Sequence, residues 1–140
     1  MKILPSTFLI IFSILFFTLS CDDSTSPNSE DKIVGEWIWI QSSGGWTGGI
    51  INPDSVGYNI KIVFEKDGVY KEYKDDSLSI KSHYIIEHKQ YGANNEKRDF
   101  LIIEDHHVGQ LIEFEDSNKL NLIENCMDCY VHNYYKSSLF

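Results

Sequence analysis

Apolar and polar residues alternate along most of this chain, and apolar residues at helical spacing are nearly absent. The segment YNIKIVFE, residues 58–65, is the clearest case, because every second residue from Tyr58 to Phe64 is apolar or aromatic. Successive side chains of a β-strand point to opposite faces, so this spacing is typical of a strand with one buried face. The pattern therefore predicts an all-β domain.

Short apolar segments recur about every ten to fifteen residues and are separated by turn signals, as in all-β domains. Asp67-Gly68 is the clearest turn, since this dipeptide tolerates the positive φ angles of a tight hairpin. The pattern predicts eight strands, at residues 33–41, 58–65, 69–74, 78–88, 99–104, 108–114, 119–124 and 130–136.

The connections between these strands are mostly short, which favours an antiparallel up-and-down meander. Such a sheet hides its edges best when it closes on itself, so we expect an eight-stranded antiparallel up-and-down barrel. A barrel of eight strands has room for packed side chains or for one small ligand. A β-sandwich is the main alternative. It needs longer crossovers, and only residues 43–57 and the polar stretch at 89–98 are long enough.

The first 20 residues follow a different pattern, with Lys2 ahead of an apolar run from Phe8 to Leu19. This run is shorter than the ~20 residues that a membrane-spanning helix needs, and its length suits a signal peptide at residues 1–20. The run ends in Thr-Leu-Ser-Cys, which resembles the lipobox of bacterial lipoproteins. The resemblance implies cleavage before Cys21 and lipidation of Cys21, and two or more acyl chains anchor a protein stably. The alternative is an ordinary secretory signal in which the cysteine is incidental.

Residues 21–31 are polar and acidic and include Pro27, so they are predicted to form a flexible tether ahead of a folded domain at residues 32–140. Asp22 and Asp23 resemble the acidic export signal of surface-exposed lipoproteins in Bacteroidetes-type bacteria. This resemblance implies a cell-envelope protein anchored in the outer membrane and facing outward. In enterobacteria, an aspartate at this place would instead suggest the inner membrane.

The chain is acidic: it has 12 basic and 21 acidic residues, and removal of the signal peptide with Lys2 leaves a formal charge of −10. Phosphate groups would be repelled, so the charge argues against nucleic acid as a partner and against electrostatic binding to anionic lipid. The length suits a single domain with a buried core, and we expect a monomer.

A resemblance to lipocalins begins at Gly35-Glu36-Trp37, which matches their G-x-W motif. In lipocalins this tryptophan closes the barrel floor against a basic residue at the end of the last strand, and Lys136 has that position here. The late Asn-Cys-x-x-Cys-Tyr at residues 125–130, with the lipobox and the eight strands, is similar to small lipocalin-like lipoproteins of Bacteroidetes-type bacteria. The resemblance covers residues 32–137 and implies a fold and a location more than an activity.

Cys126 and Cys129 are the two cysteines of the predicted domain. Disulfides persist in exported proteins, so a small disulfide that fixes a turn is the favoured interpretation. Two free thiols are a second interpretation. A redox or metal site is less favoured, because a reactive CxxC opens a helix and because zinc needs four ligands.

The glycine-rich stretch SSGGWTGGIINPDSVGY, residues 42–58, joins the first two predicted strands. It is not a phosphate-binding loop, because it lacks the lysine and the helix that such loops require. In a lipocalin-like barrel this connection folds across the open mouth, so Trp46, Ile50 and Ile51 are predicted to form the underside of a lid. The alternative is that Trp46 plugs the barrel end and leaves no cavity.

Aromatic residues make up 14% of the chain, and they can fill a barrel or line a pocket. Packing is the more frequent role in a small barrel, but Trp39, Tyr58 and Tyr84 are candidate ligand contacts beside the lid. His106-His107 follows two acidic residues and is best explained as a solvated turn. We expect no metal and no cofactor.

The sequence contains none of the motifs of serine hydrolases or zinc proteases. An enzyme would require Glu and His side chains that converge in a polar pocket, so no activity is expected. The predicted function is a lipid-anchored protein of the cell envelope that binds a small, mainly apolar molecule. The alternative is an interaction or structural module with a filled barrel and an acidic surface.

Overall fold

The computed structural model describes residues 28–104, 106 and 109–138, and the predicted signal peptide, Cys21 and most of the predicted tether lie outside these residues. The described chain forms two short helices and nine strands. In chain order these are α1 Ser29–Ile33, β1 Gly35–Gly44, β2 Gly49–Ile51, α2 Pro53–Val56, β3 Ile60–Phe64, β4 Val69–Lys74, β5 Ser77–Tyr91, β6 Glu96–Ile103, β7 Gln110–Asp116, β8 Lys119–Glu124 and β9 Tyr130–Lys136.

Eight of the strands form one closed antiparallel sheet. Strands β3 to β8 each pair with the next strand in sequence, β1 pairs with β3, and β9 returns to pair with β1. The closing register runs from Trp37 opposite Lys136 to Gly44 opposite Tyr130. The predicted eight-stranded up-and-down barrel is confirmed, and the sandwich alternative is wrong, because the sheet closes on itself.

The two ends of the barrel carry different connections. The β3–β4, β5–β6 and β7–β8 turns lie at the end where β1 begins, together with α1, and this end is called the closed end below. The connections β1–β3, β4–β5, β6–β7 and β8–β9 lie at the other end, called the open end.

The ninth strand was not predicted. Strand β2 lies within the glycine-rich stretch and pairs antiparallel with the last residues of β1, from Ser42 opposite Ile51 to Gly44 opposite Gly49. The turn between them uses Gly45 and Gly48, both with positive φ. Half of the predicted loop is therefore a hairpin attached to the rim of the barrel, because the glycines permit a tight reversal that pairs Ile50 and Ile51 with β1.

The predicted polar loop at residues 90–98 is mostly strand. Strands β5 and β6 stay paired as far as Tyr91 opposite Glu96, and a tight turn with Gly92 and Asn95 at positive φ joins them. This part of the hairpin has no other strand beside it, and most of its side chains are exposed. A segment with no buried face needs no alternation of apolar and polar residues, so the sequence pattern did not predict a strand here.

Helix α1 occupies the last part of the predicted tether and the start of the predicted first strand. Its Ile33 is fully buried, and the Trp37 indole N–H donates to the Ile33 carbonyl oxygen at 2.6 Å. Ile33, Trp37 and Phe64 fill the closed end, and the largest fully buried side chains of the described chain are these three together with Ile62, Leu101 and Leu120. Burial of this much apolar surface is the main source of stability, at roughly 1.5–3 kcal/mol for each large side chain.

Candidate functional site

The open end of the barrel contains a cavity of about 360 Å³. Five aromatic side chains form much of its wall, together with Ile51, Ile60, Ile103 and Leu122: these aromatic residues are Trp39, Tyr58, Tyr70, Tyr130 and Tyr134. Trp39, Tyr70 and Tyr134 are buried, and Trp39 lies opposite Tyr134 across the β1–β9 ladder. The aromatic residues therefore line a pocket as well as fill the core.

The polar part of the wall is formed by six side chains: Ser42, Glu72, His106, Gln110, Glu124 and His132. Among the described residues, no lysine or arginine lines this cavity. The nearest cation to its aromatic wall that the structure shows is Lys74, whose Nζ lies 3.7 Å from the centroid of the Tyr58 ring.

A β-bulge in β1 brings two of the wall residues together. The register shifts between Trp39 and Gln41, so Trp39 and Ser42 both face the interior although they are three residues apart. On a regular strand, residues separated by three point to opposite faces. Because of the bulge, the Trp39 indole N–H donates to Ser42 Oγ at 2.9 Å.

This contact continues as a chain of hydrogen bonds towards the mouth. Ser42 Oγ lies 2.6 Å from His132 Nδ1, and His132 Nε2 lies 3.2 Å from Glu124 Oε1. Since Ser42 Oγ accepts the indole N–H, its own proton is free to point at Nδ1, which leaves the proton of a neutral imidazole on Nε2 to be donated to Glu124. His132 in this form adds no positive charge to the cavity.

Glu124 is held at the mouth by a second contact. The backbone N–H of Tyr130 donates to Glu124 Oε2 at 3.2 Å, so each carboxylate oxygen accepts one hydrogen bond. Neither bond involves a lysine or an arginine. The carboxylate is therefore fixed in position, and a neutral His132 leaves its negative charge without a cationic partner.

Glu72 brings a second carboxylate to the wall, and the Tyr70 hydroxyl donates to its Oε2 at 3.4 Å. Burial raises the pKa of Tyr70 well above its usual value, and the charge of Glu72 adds to the effect. Burial likewise raises the pKa of Tyr134, and the charges of Glu72 and Glu124 contribute. Both phenols therefore remain protonated at physiological pH.

Three of the predicted ligand contacts, Trp39, Ile51 and Tyr58, line the cavity. The predicted lid is wrong, because Trp46 is 88% exposed and Ile50 is 61% exposed. The hairpin is paired with the last residues of β1, and of the three predicted lid residues only Ile51 lines the cavity. The alternative in which Trp46 plugs the barrel is wrong for the same reason.

Tyr84 also lies elsewhere than predicted. Its hydroxyl donates to the carbonyl oxygen of Glu65 at 2.9 Å, and its ring packs against Phe64 with a centroid distance of 5.0 Å. Glu65 belongs to the β3–β4 turn at the closed end. Tyr84 therefore packs at the closed end and does not reach the cavity, because its backbone N–H and its hydroxyl both bond to the β3–β4 turn.

The structure places Gly35, Trp37 and Lys136 together at the closed end, as the resemblance implies. Trp37 is fully buried and pairs with Lys136, whose Nζ lies 5.1 Å from the centroid of the Trp37 ring. A Cβ at Gly35 would lie 3.1 Å from Cε of Lys136, and Gly35 has a φ of +130°. The positive φ favours glycine here, whereas the flexible end of the Lys136 side chain could shift to admit a Cβ.

The two cysteines of the β8–β9 turn form a disulfide, with their Cα atoms 5.3 Å apart. Their sulfurs and a Glu124 oxygen lie within 4.8 Å of one another, next to the cavity mouth. Sulfurs joined in a disulfide are not thiolate ligands, so this group does not make a metal centre. The turn instead fixes the chain between Glu124 and Tyr130.

His106 is exposed, as expected for a solvated turn, and it also lies at the cavity wall, with its ring centroid 6.2 Å from that of Tyr70. Its neighbours Asp105 and His107 lie outside the described residues. Sequence reasoning missed Ser42, Glu72, Glu124 and His132. The one sequence signal for them is that Glu124 and Tyr130 flank the CxxC turn, which places Glu124 at the end of a strand, near the mouth of the barrel.

Comparisons with protein-family models, with curated proteins and with solved structures find no match to this chain. None of the helices in the described parts of the chain has the length and apolar character needed to cross a bilayer. The fold and the site themselves define a small β-barrel protein that is filled at one end and has an open, partly polar cavity at the other.

Proposed function

We propose that this chain is a lipid-anchored, lipocalin-like protein of the cell envelope that binds a small molecule in the open end of its barrel. The observation that carries the proposal is the cavity of about 360 Å³ with its aromatic and aliphatic walls. Ligand pockets in proteins typically measure ~300–1,000 Å³ and combine apolar walls with a few polar groups. The sequence expectation of a mainly apolar ligand is refined here to an amphipathic one, because six polar side chains reach the wall.

The anchor is proposed from Cys21 and the lipobox. Helix α1 is the first described element and lies at the closed end of the barrel. A tether that joins α1 to a lipid on Cys21 would therefore attach at the closed end, so the cavity mouth would face away from the membrane. This arrangement suits uptake of a ligand from the aqueous phase. Asp22 and Asp23 support the outer membrane as the location.

A titration with prodan, a neutral fluorophore that reports an apolar environment, tests the proposal on residues 21–140. We expect saturable binding with a blue-shifted emission. Ile60→Trp should reduce the affinity at least about tenfold, because Ile60 lines the cavity and the indole would fill it. Leu78→Trp is the matched control, since Leu78 is 53% exposed and outside the cavity. Absence of saturable binding, or equal binding by both variants, would overturn the proposal.

The hydrogen-bonded chain of Ser42, His132 and Glu124 uses the same three residue types as a serine hydrolase. We propose a positioning role, because Ser42 is only 6% exposed and its oxygen already accepts the Trp39 indole N–H. Covalent labelling by a fluorophosphonate that is abolished in Ser42→Ala would replace the binding proposal by a hydrolase. We expect no labelling.

The alternative of an interaction module is favoured by one observation, the exposed apolar side chains near the rim. Trp46, Ile50 and Met127 are 88%, 61% and 98% exposed, and all three belong to connections of the open end. Recovery of a protein partner from solubilised envelope by the native chain, but not by Trp46→Ser, would support this alternative. It would replace the binding proposal if prodan also failed to bind.

A further inference from the structure

The charge of the cavity wall indicates what kind of ligand it accepts. Glu72 and Glu124 both line the cavity, while no lysine or arginine among the described residues does. A neutral His132 that donates from Nε2 to Glu124 and accepts the Ser42 proton at Nδ1 satisfies both contacts, at 3.2 and 2.6 Å. An occupied and desolvated cavity would therefore hold two carboxylates without a protein cation, which is costly unless the ligand provides the positive charge.

The Tyr134 hydroxyl provides a second, independent observation. Tyr134 is 9% exposed and lines the cavity, yet its hydroxyl makes no hydrogen bond within the described part of the chain. Tyr134, Glu72 and Glu124 line the same cavity, and the charges of the two glutamates contribute to the raised pKa of Tyr134. Among the described residues, the fully buried side-chain oxygen without a partner is Ser82 Oγ, so the Tyr134 oxygen is accessible and can hydrogen-bond to water or to a bound molecule.

The aromatic side chains of the wall complete the site. Indole and phenol rings attract a cation over their faces, and quaternary and methylated ammonium ions are bound in this way. Trp39, Tyr70 and Tyr134 are buried and come from three different strands, β1, β4 and β9. An ammonium group among these rings would have aromatic faces around it and carboxylate oxygens as acceptors.

We propose that the cavity binds an organic ammonium ion with an apolar body, with Glu72, Glu124 and the Tyr134 oxygen as acceptors for its N–H groups and the aromatic wall around its apolar part. This inference rests on the proposed function and deepens it by naming the ligand class. The carboxylates select the charge, and the size of the cavity limits the ligand to a small aromatic or short-chain amine.

Three probes of nearly equal shape separate charge from apolar contact: 4-phenylbutylamine, 4-phenylbutan-1-ol and 4-phenylbutanoate. Their binding to residues 21–140 is measured by calorimetry at pH 7 with EDTA, which removes divalent metals that could compete for the carboxylates. A hydrogen-bonded charge pair contributes about 1.5–3 kcal/mol, so the amine should bind at least about tenfold more tightly than the alcohol. The acid should bind more weakly than the alcohol.

Variants assign the selectivity to named residues. Glu72→Gln and Glu124→Gln should each weaken amine binding about tenfold and weaken alcohol binding by a clearly smaller factor, because the alcohol carries no charge. Tyr134→Phe keeps the ring and should likewise weaken amine binding more than alcohol binding. Glu96→Gln removes the same charge from the β5–β6 hairpin, outside the cavity, and serves as the control. The melting temperature of each variant shows whether it remains folded.

The outcomes distinguish this inference from the proposed function. If prodan and the alcohol bind but the amine has no advantage, the ammonium site is wrong and the binding function stands. An equal loss of amine affinity in Glu96→Gln and Glu124→Gln would also overturn the site, since long-range charge would then explain the preference. If neither prodan nor any of the three probes binds, the proposed function itself is wrong.

Discussion

At the scale of single residues, the composition of the cavity wall depends on which side chains point into the barrel. Trp39 was a predicted ligand contact, but Ser42 was not, because the predicted first strand ended before it and regular alternation would have turned it outward. The bulge between Trp39 and Gln41 reverses that alternation, so Ser42 faces His132. A bulge depends on how the closing strand fits, and the local sequence carries no clear sign of it.

Asp99 gives a pH-dependent prediction at the residue scale. Burial alone would raise the pKa of Asp99, but hydrogen bonds with Ser29 and His88 lower it below its ordinary value of 3.8. Ionised Asp99 therefore stabilises the folded state at neutral pH, and this contribution is lost as the pH falls below 3.8 and through the folded-state pKa.

We expect Asp99→Asn to lower the free energy of unfolding by about 0.5–1 kcal/mol at pH 7, because the aspartate is partly exposed. Urea unfolding of native protein and variant at pH 7 and near pH 2 measures this difference. At the lower pH the two proteins should unfold at the same urea concentration. An equal difference at both pH values would show that lost packing, and not the charge, accounts for the effect.

At the scale of elements, the prediction succeeded where a strand has one buried face and failed where it has none. Strands β3, β4 and β8 agree with the predicted strands to within two residues at each end. The outer part of β5 and β6 and the β1–β2 hairpin were predicted as loops. In the outer part of β5 and β6 most side chains are exposed, and in the β1–β2 hairpin Ser42 and Ile51 face the cavity while Ile50 is exposed, so neither segment has a regular alternation of apolar residues.

The contact between the β1–β2 hairpin and the β8–β9 turn gives a prediction at this scale. Gly44 has a φ of +139°, and a Cβ there would overlap the Cys129 carbonyl oxygen and lie 3.0 Å from Tyr130 Cα. Gly44→Ala should therefore destabilise the protein by about 2–3 kcal/mol, since strain and a backbone clash add together.

Gly48→Ala is the control for this substitution, because Gly48 has a φ of +65° and no atom within 4 Å of an added Cβ. It should cost only the left-handed conformation, about 1 kcal/mol. The urea midpoints of the two variants measure the difference. Equal midpoints would mean that the glycine turn does not approach the disulfide turn as closely as described.

At the scale of the whole molecule, the two ends of the barrel differ in structure. Helix α1 and the side chains around Trp37 fill the closed end, and the cavity occupies the open end. The proposed orientation of the barrel, with its cavity mouth away from the membrane, follows from this asymmetry, because the chain enters the barrel at its closed end.

The anchor gives the prediction at this scale. Cys21→Ser should move the protein from the membrane fraction to the soluble fraction, because the lipid would be attached to this sulfur. Immunoblots of fractions from cells that express each form measure the change. Cys126→Ser, which removes a cysteine of the β8–β9 disulfide, should leave the protein in the membrane fraction. Retention of Cys21→Ser in the membrane would contradict lipid anchoring.

The sequence by itself determined the all-β class, the number and order of the barrel strands and the up-and-down topology, because a period of two and short polar turns record which faces are buried and where the chain reverses. The resemblance of Gly35-Glu36-Trp37 to the lipocalin motif also predicted that Trp37 and Lys136 lie together. The tertiary structure decided that Trp46 points outward, that the open end is hollow, and that Glu72, Glu124 and Tyr134 share a cavity. These features depend on bulges, strand tilt and the volume left between distant strands, and none of these is a local property of the chain.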